Sequence, residues 1–309
     1  DAQFNGGGQA VYHATNLILH AIVVVLLFGL ALRLGASRYA AFGAALLFAV
    51  HPLTVQTVSW IVGRNDSLLA VFALLSLIGL DAAVRDKRAW GFWLHLVTFA
   101  LALFTKETGI VLLPAYGLVV WLWYDRLAFY REVRWLPWGY FGAAGVWIAV
   151  RHFALAGGEV SATPGEALMT VARNLPQLFV YFGKTVFPVS LHVMPSVDPG
   201  ALGLGVLAVG VLGVTLRQLP TRRMAFALSW FVLFLLPPLV VPNLPAYEHR
   251  TYVPLLGLAI GLSQLPSLAG NQWRWTGPRY VLVVLAIVFG VLTLRHVPAF
   301  RDPLTFWVS

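Results

Sequence analysis

Three short stretches of the chain place ionisable side chains at the ends of apolar runs. The first, LFAVHPLTVQTVSWIVGRND, carries His51, Gln56, Arg64 and Asp66. The second, TKETG, carries Lys106 and Glu107. The third, NLPAYEHRTYVP, carries Asn243, Tyr247, Glu248, His249, Arg250 and Tyr252. Each sets a carboxylate beside a cation: Asp66 with Arg64, Glu107 with Lys106, and Glu248 with Arg250 and His249. A guanidinium binds phosphate oxygens in a bidentate fork, so such cations suit a lipid-linked phosphate or diphosphate. A carboxylate beside them can accept the proton of an incoming hydroxyl. The plain alternative is three local ion pairs that finish helix ends. Three clusters on one membrane face favour a shared site, because ionisable groups at that depth are costly and usually face a bundle interior or a wet cavity. Lys184, near Phe187-Pro188, either snorkels to headgroups or joins the phosphate-binding set. His13, Asn16 and His20 follow an i, i+3, i+7 spacing and share one helix face. With no carboxylate among them, interhelical hydrogen bonding suits them better than metal ligation. His95 reads the same way.

The elements that must position these residues are membrane helices. Of 309 residues, 59% are hydrophobic and 11% charged, against about 25% charged in soluble domains. Mean hydropathy is +0.79. The sequence predicts an all-α, polytopic helical bundle with about ten spans. The expected spans run over 12–34, 39–50, 67–84, 90–104, 109–124, 135–150, 201–216, 224–241, 252–265 and 280–294. The segment 53–62 is expected to lie along the interface, and 168–188 to form one interfacial or re-entrant helix. Thirteen cations gather on one side: Arg33, Arg38, Arg85, Lys87, Arg88, Arg126, Arg131, Arg134, Arg217, Arg222, Arg223, Arg274 and Arg279. That side is cytoplasmic by the positive-inside rule. Asp81, Asp86, Asp125 and Glu132 lie there and read as headgroup-level loop charges. Arg64, Lys106, Arg151, Arg173, Lys184, Arg250, Arg295 and Arg301 are scattered singly on the other side. The absence of cysteine excludes disulfides, thiolate chemistry and cysteine–zinc sites. The net charge of +9 speaks to topology and anionic lipid, not to nucleic acid, since no basic stripe stands apart from the spans. No metal-ligand cluster stands out.

NLILHA, LLFAVHPLTVQTVSWIVGRNDSLLA, LFTKETGI and YEHRTYVPLLGL occur in that order, and with them the chain resembles the membrane half of the transmembrane O-mannosyltransferases with tetratricopeptide repeats and their bacterial relatives. These are similar to the GT-C glycosyltransferases. The resemblance implies a polyprenyl- or dolichyl-phosphate sugar as donor and transfer, with inversion, to a protein or other hydroxyl on the extracytoplasmic face. It implies a single transmembrane domain over 1–309 in a bacterial inner membrane, with a first span, and the aspartate base of the first outer loop, upstream of residue 1. Asp1 matches a different position. Outer-face repeats are expected beyond residue 309. Arg64, Lys106, His249, Arg250 and Lys184 are then expected to hold the lipid phosphate, with Asp66, Glu107 and Glu248 in support and His51, Gln56 and Tyr252 lining the site. Gln56 stands where relatives often carry glutamate, which removes one charge. The expected partners are membrane lipid, the lipid-linked donor, and a protein acceptor or partner membrane subunits. The alternative is a catalytically degenerate relative acting as a structural or assembly subunit. A secondary transporter would need acids near mid-membrane and matching interrupted helices, which the sequence does not offer.

Overall fold

The computed structural model describes residues 9–124, 133–155, 164–189, 191–192, 197–242, 246–269 and 277–300. Asp125, Glu132 and Asn243 lie outside them. The described residues are helical, with no strand. In chain order the α-helices are α1 (Gln9–Arg33), α2 (Arg38–Ala49), α3 (Val55–Ser59), α4 (Arg64–Val84), α5 (Ala89–Thr105), α6 (Leu112–Trp123) and α7 (Leu136–Leu155). There follow α8 (Pro164–Asn174), α9 (Pro176–Val186), α10 (Pro199–Leu216), α11 (Thr221–Leu239), α12 (Tyr252–Ser263) and α13 (Gly277–His296). Short 3-10 turns cover Pro52–Thr54, Ile61–Gly63, Glu107–Val111 and Glu248–Thr251.

The sequence punctuates these elements legibly. Gly35, at φ +90, turns the chain from α1 into α2, and the Ser37 hydroxyl accepts the Ala40 N–H at the start of α2. Pro52 ends that run, and the chain bends by 54° between Arg38–Ala49 and Pro52–Ser59. Asp198 caps α10 by accepting the Ala201 N–H at 2.9 Å.

The chain is an integral membrane protein. Five helical stretches are long and apolar enough to cross a bilayer: Ala10–Arg33, Ile61–Val84, Pro199–Leu216, Thr221–Leu239 and Gly277–Phe300. The bent pair over α2 and α3 makes a sixth if counted as one span. Ten spans stay an expectation, because several apolar helices are short. α5 has 17 residues, roughly 26 Å at 1.5 Å per residue, and α6 and α12 have 12 each, against a hydrocarbon core of about 30 Å. Ile61–Val84 is central, 78% buried, whereas Pro199–Leu216 and Gly277–Phe300 are only 17% and 11% buried and turn apolar faces outward. α12 is almost wholly interior and joins two apolar cores. One is built on α1, α4, α5, α6 and α11, the other on α9, the end of α10 and α11.

Two expected elements differ. The segment 53–62 does not simply lie along the interface: Leu53, Val55, Gln56 and Thr57 are buried, packed against the 248–251 turn. The expected helix 168–188 is two helices, broken at Pro176, which lacks the N–H a continuous helix needs. α9 buries Gln177, Val180, Tyr181 and Lys184 and packs along α10.

Polar side chains at mid-bundle bond across elements, as the first-helix stripe predicts for Asn16 and His20. Asn16 Nδ2 donates to the Trp60 carbonyl at 3.0 Å. His20 Nε2 donates to the Ala49 carbonyl at 3.1 Å, and its Nδ1 accepts from the Tyr252 hydroxyl at 2.7 Å. His95 sits among Ser76 (2.7 Å), Tyr140 (2.6 Å) and Tyr116, whose hydroxyl donates to Ser76 at 2.6 Å.

α4 and α5 approach backbone to backbone. A Cβ on Gly91 would lie 2.6 Å from both Ala83 N and Gly79 O, so only glycine fits. Gly91→Val is expected to cost about 1–3 kcal/mol through overpacking, read as a lowered unfolding temperature in detergent. Gly117→Ala, with open space around it mid-helix, is expected to hold that temperature or raise it slightly, since alanine favours the helix.

Candidate functional site

The three sequence clusters meet at one end of the bundle, but their charges pair across elements. Residues two apart on a helix do not face each other, so Arg64 and Asp66 diverge, and at the extended Lys106 the chain turns its side chain away from Glu107. Asp66, buried in the first turn of α4, instead accepts Lys106 Nζ from the end of α5 at 2.6 Å. The Arg250 charge is felt at the same carboxylate. Glu107 turns outward to Arg151 of α7 at 3.0 Å. Arg64 lies with its guanidinium 5.1 Å over the Tyr12 ring, and its Nε donates to the Ile61 carbonyl at 3.4 Å.

His249 joins the first group through Gln56. The Gln56 Oε1 accepts the His249 backbone N–H at 2.7 Å and lies 3.3 Å from His249 Nδ1. An amide oxygen only accepts, so Nδ1 carries the proton and Nε2 is left with its lone pair. Burial, with the Lys106 and Arg250 charges nearby, pushes the His249 imidazole down to about 3. The ring is therefore neutral at working pH. It meets a ligand as a hydrogen-bond partner rather than as a cation. Trp60 lies against the ring at 5.3 Å, and Arg250 sits 5.1 Å over Tyr247.

Glu248 starts the same 3-10 turn but faces the other way. Its buried carboxylate takes Lys184 Nζ of α9 at 2.7 Å on Oε1 and His296 Nε2 of α13 at 3.1 Å on Oε2. The His192 N–H also donates to Oε1 at 3.2 Å. Lys184 is thus a buried ion-pair partner, not a side chain reaching for headgroups. The geometry adds His192 and His296 to the site. In the sequence His296 reads as an ordinary helix-end histidine, and only its contact with Glu248 reveals it.

His51 is committed on both nitrogens. Its Nδ1 accepts the Leu53 N–H at 3.2 Å and its Nε2 donates to the Thr185 carbonyl at 3.0 Å, which pins the Pro52 corner to α9. Tyr252 is wholly buried, its hydroxyl on His20. It supports the site from beneath.

Two cavities flank the Glu248 group. One, of ≈ 360 Å³, is lined by Lys184, His192, Asp198 and Gly183. The other is an apolar groove of ≈ 380 Å³ between α2, α9, α10, α12 and α13, with Phe48, His51, Thr185, Leu255 and Phe289 in its wall. Among the described residues, no three His, Asp or Glu side chains are grouped to hold a metal.

Breaking a buried ion pair leaves an uncompensated charge, at a cost of about 3–5 kcal/mol. Glu248→Gln and Lys184→Met are each expected to lower the unfolding temperature in detergent. The double variant is expected to lose less than the two singles combined, and simple additivity would show that the pair does not act as one.

The model of the dolichyl-phosphate-mannose-protein mannosyltransferase family matches residues 3–157. Protein O-mannosyl-transferase TMTC4 of Homo sapiens is 36% identical over 130 residues, covering 35% of this chain and 18% of that protein. Protein O-mannosyl-transferase Tmtc1 of Drosophila melanogaster is 37% identical over 108 residues, covering 35% of this chain and 12% of that protein. Protein O-mannosyl-transferase TMTC1 of Homo sapiens is 36% identical over 110 residues, covering 32% and 12%. The matches thus span less than a fifth of these relatives' own length. No solved structure matches the chain.

Proposed function

The chain belongs to the dolichyl-phosphate-mannose-protein mannosyltransferase family, and from that premise we propose that it is the membrane part of a GT-C-type glycosyltransferase. In this reading it moves a sugar from a polyprenyl-phosphate donor to a protein or other hydroxyl. The observation that carries the reading is the convergence of Asp66, Lys106, Gln56, His249 and Arg250 from three separate corners. That group brings the Lys106 and Arg250 cations together around Asp66, and two adjacent cations suit a phosphodiester leaving group. The Glu248 carboxylate, by contrast, holds one lysine, Lys184. The phosphate is therefore assigned to Lys106 and Arg250, with Arg64 at the rim.

The proposed chemistry divides the work among these residues. Lys106 and Arg250 stabilise charge that builds on the departing phosphate. Asp66 orients Lys106. His249, neutral with Nε2 as acceptor, can receive a hydrogen bond from a hydroxyl. Glu107 and Glu248 hold their cationic partners. Each of these three carboxylates is already engaged with a cation, which suits a supporting role. The same observation favours the second reading, a family member that keeps the fold as a structural or assembly subunit and does not catalyse transfer. We place the site on the extracytoplasmic face, which the scarcity of Lys and Arg there supports. The bacterial inner membrane and an outer-face repeat region belong to the proposal as well; the relatives named above are animal proteins.

The test is mannosyl transfer from polyprenyl-phosphate mannose to a hydroxyl-bearing peptide by the purified full-length protein. Lys106→Ala and Arg250→Ala are each expected to lose about a hundredfold in rate, the scale seen when one charge-stabilising donor is removed. Full activity in both variants would falsify the phosphate assignment. No transfer by the wild type, with the protein folded, favours the subunit reading.

A further inference from the structure

The opposite end of the bundle, where the arginines gather, holds a cavity of ≈ 310 Å³ that sugar transfer does not use. Lys87, Arg88, Phe92, Trp93, Val133 and Trp135 line it. The turn that presents the two cations is fixed by its surroundings. The close approach of α4 and α5 at Gly79 and Gly91 sets the hairpin, and the Arg88 N–H donates to the Ala82 carbonyl at 3.1 Å. Within the turn Lys87 adopts φ +53, the one left-handed non-glycine residue among the described residues. That conformation is unfavourable for an ordinary side chain and persists where the neighbouring structure over-determines it. The turn's acid, Asp86, pairs with Arg33 of α1 at 2.5 Å, and the Lys87, Arg88, Trp93 and Trp135 side chains give the cavity wall cations and aromatic rings. A third cation, Arg134, stands 5.2 Å over the Trp135 ring.

The cavity also has an apolar continuation. Trp93 and Trp135 are each 63% exposed, as tryptophans at a membrane interface are. From Trp93, Val97 and Leu101 follow at steps of four along α5, all exposed, and so form one strip of the helix surface. An inorganic anion would use the cations and leave this strip bare. A molecule with an anionic head and a hydrocarbon chain would use both.

We propose that this cavity binds the phosphodiester headgroup of an anionic phospholipid through Lys87 and Arg88, with an acyl chain along the Trp93–Val97–Leu101 strip of α5. The site is independent of the sugar-transfer reading and sits at the other end of the bundle.

Native mass spectrometry of the full-length protein, titrated in detergent with phosphatidylglycerol, phosphatidylcholine or glycerol phosphate, tests it. Phosphatidylglycerol is expected to bind well above phosphatidylcholine. Each near-surface cation contributes about a fivefold change in affinity for anionic lipid. Lys87→Gln with Arg88→Gln is therefore expected to weaken phosphatidylglycerol binding about thirtyfold. Arg222→Gln with Arg223→Gln, from the same arginine-rich set but outside the cavity, is expected to change it less than twofold. Val97→Ser with Leu101→Ser reads the chain strip, and is expected to weaken phosphatidylglycerol binding about tenfold with glycerol phosphate unaffected. Equal losses from the two cation pairs would reduce the site to general surface charge. Equal binding of glycerol phosphate and phosphatidylglycerol would assign it to a soluble anion. Either result overturns the proposal.

Discussion

A carboxylate buried at the head of a membrane helix must be met by a cation, and the Asp66–Lys106 pair is where that requirement shapes this fold. Desolvating one charge alone costs several kcal/mol, so removing either partner leaves a penalty the other cannot offset. The pair ties the start of α4 to the end of α5 at the end opposite their own tight turn. The hairpin is held by backbone approach at one end and by charge at the other. Once α4 and α5 are set, α1 and α6 pack on them, and the Gln56 corner and the 248–251 turn are brought over Lys106.

The same requirement operates at the arginine-rich end. Asp81 reads in the sequence as a loop charge in headgroups. It is instead 2% exposed and takes Arg33 Nε at 2.8 Å, Arg85 Nε at 2.9 Å and the Tyr124 hydroxyl at 2.8 Å. One carboxylate thereby joins α1, α4 and the end of α6. Asp86, exposed beside it, is held well below the usual carboxylate range by Arg33, but exposed pairs contribute little to stability. Burial, not the presence of an ion pair, separates the two roles.

Local pattern made much of this legible. Hydrophobic runs located the helices to within a few residues, and His13, Asn16 and His20 announced a polar stripe whose last two members bond across helices. The clusters were legible as clusters. Their pairings were not, because residues adjacent in sequence point in different directions on a helix, while Lys184 reaches Glu248 across 64 positions of chain. Pro176 was visible, yet apolar residues recurring on both sides of it made one helix of two. The span count failed to settle for a related reason. α5, α6 and α12 are apolar but short, and apolar composition alone does not separate a crossing helix from one sunk inside the bundle.

Pairing also sets the energetics of any anion that enters the proposed site. A phosphate arriving at Lys106 competes with Asp66 for the same ammonium, so part of its attraction is already spent before it binds. Arg250 adds a second cation, whose charge is felt at the same Asp66 carboxylate. At about 0.8 kcal/mol per CH₂ removed from water, the tail holds the donor in the bilayer beside the site, and contact with the apolar helices adds little to that because lipid tails are equally apolar. The tail then governs retention, and the charges govern where the phosphate stops. A small phosphate sugar without a tail would meet the same cations and hold weakly. Such a site selects lipid-linked donors without needing to recognise the lipid in detail.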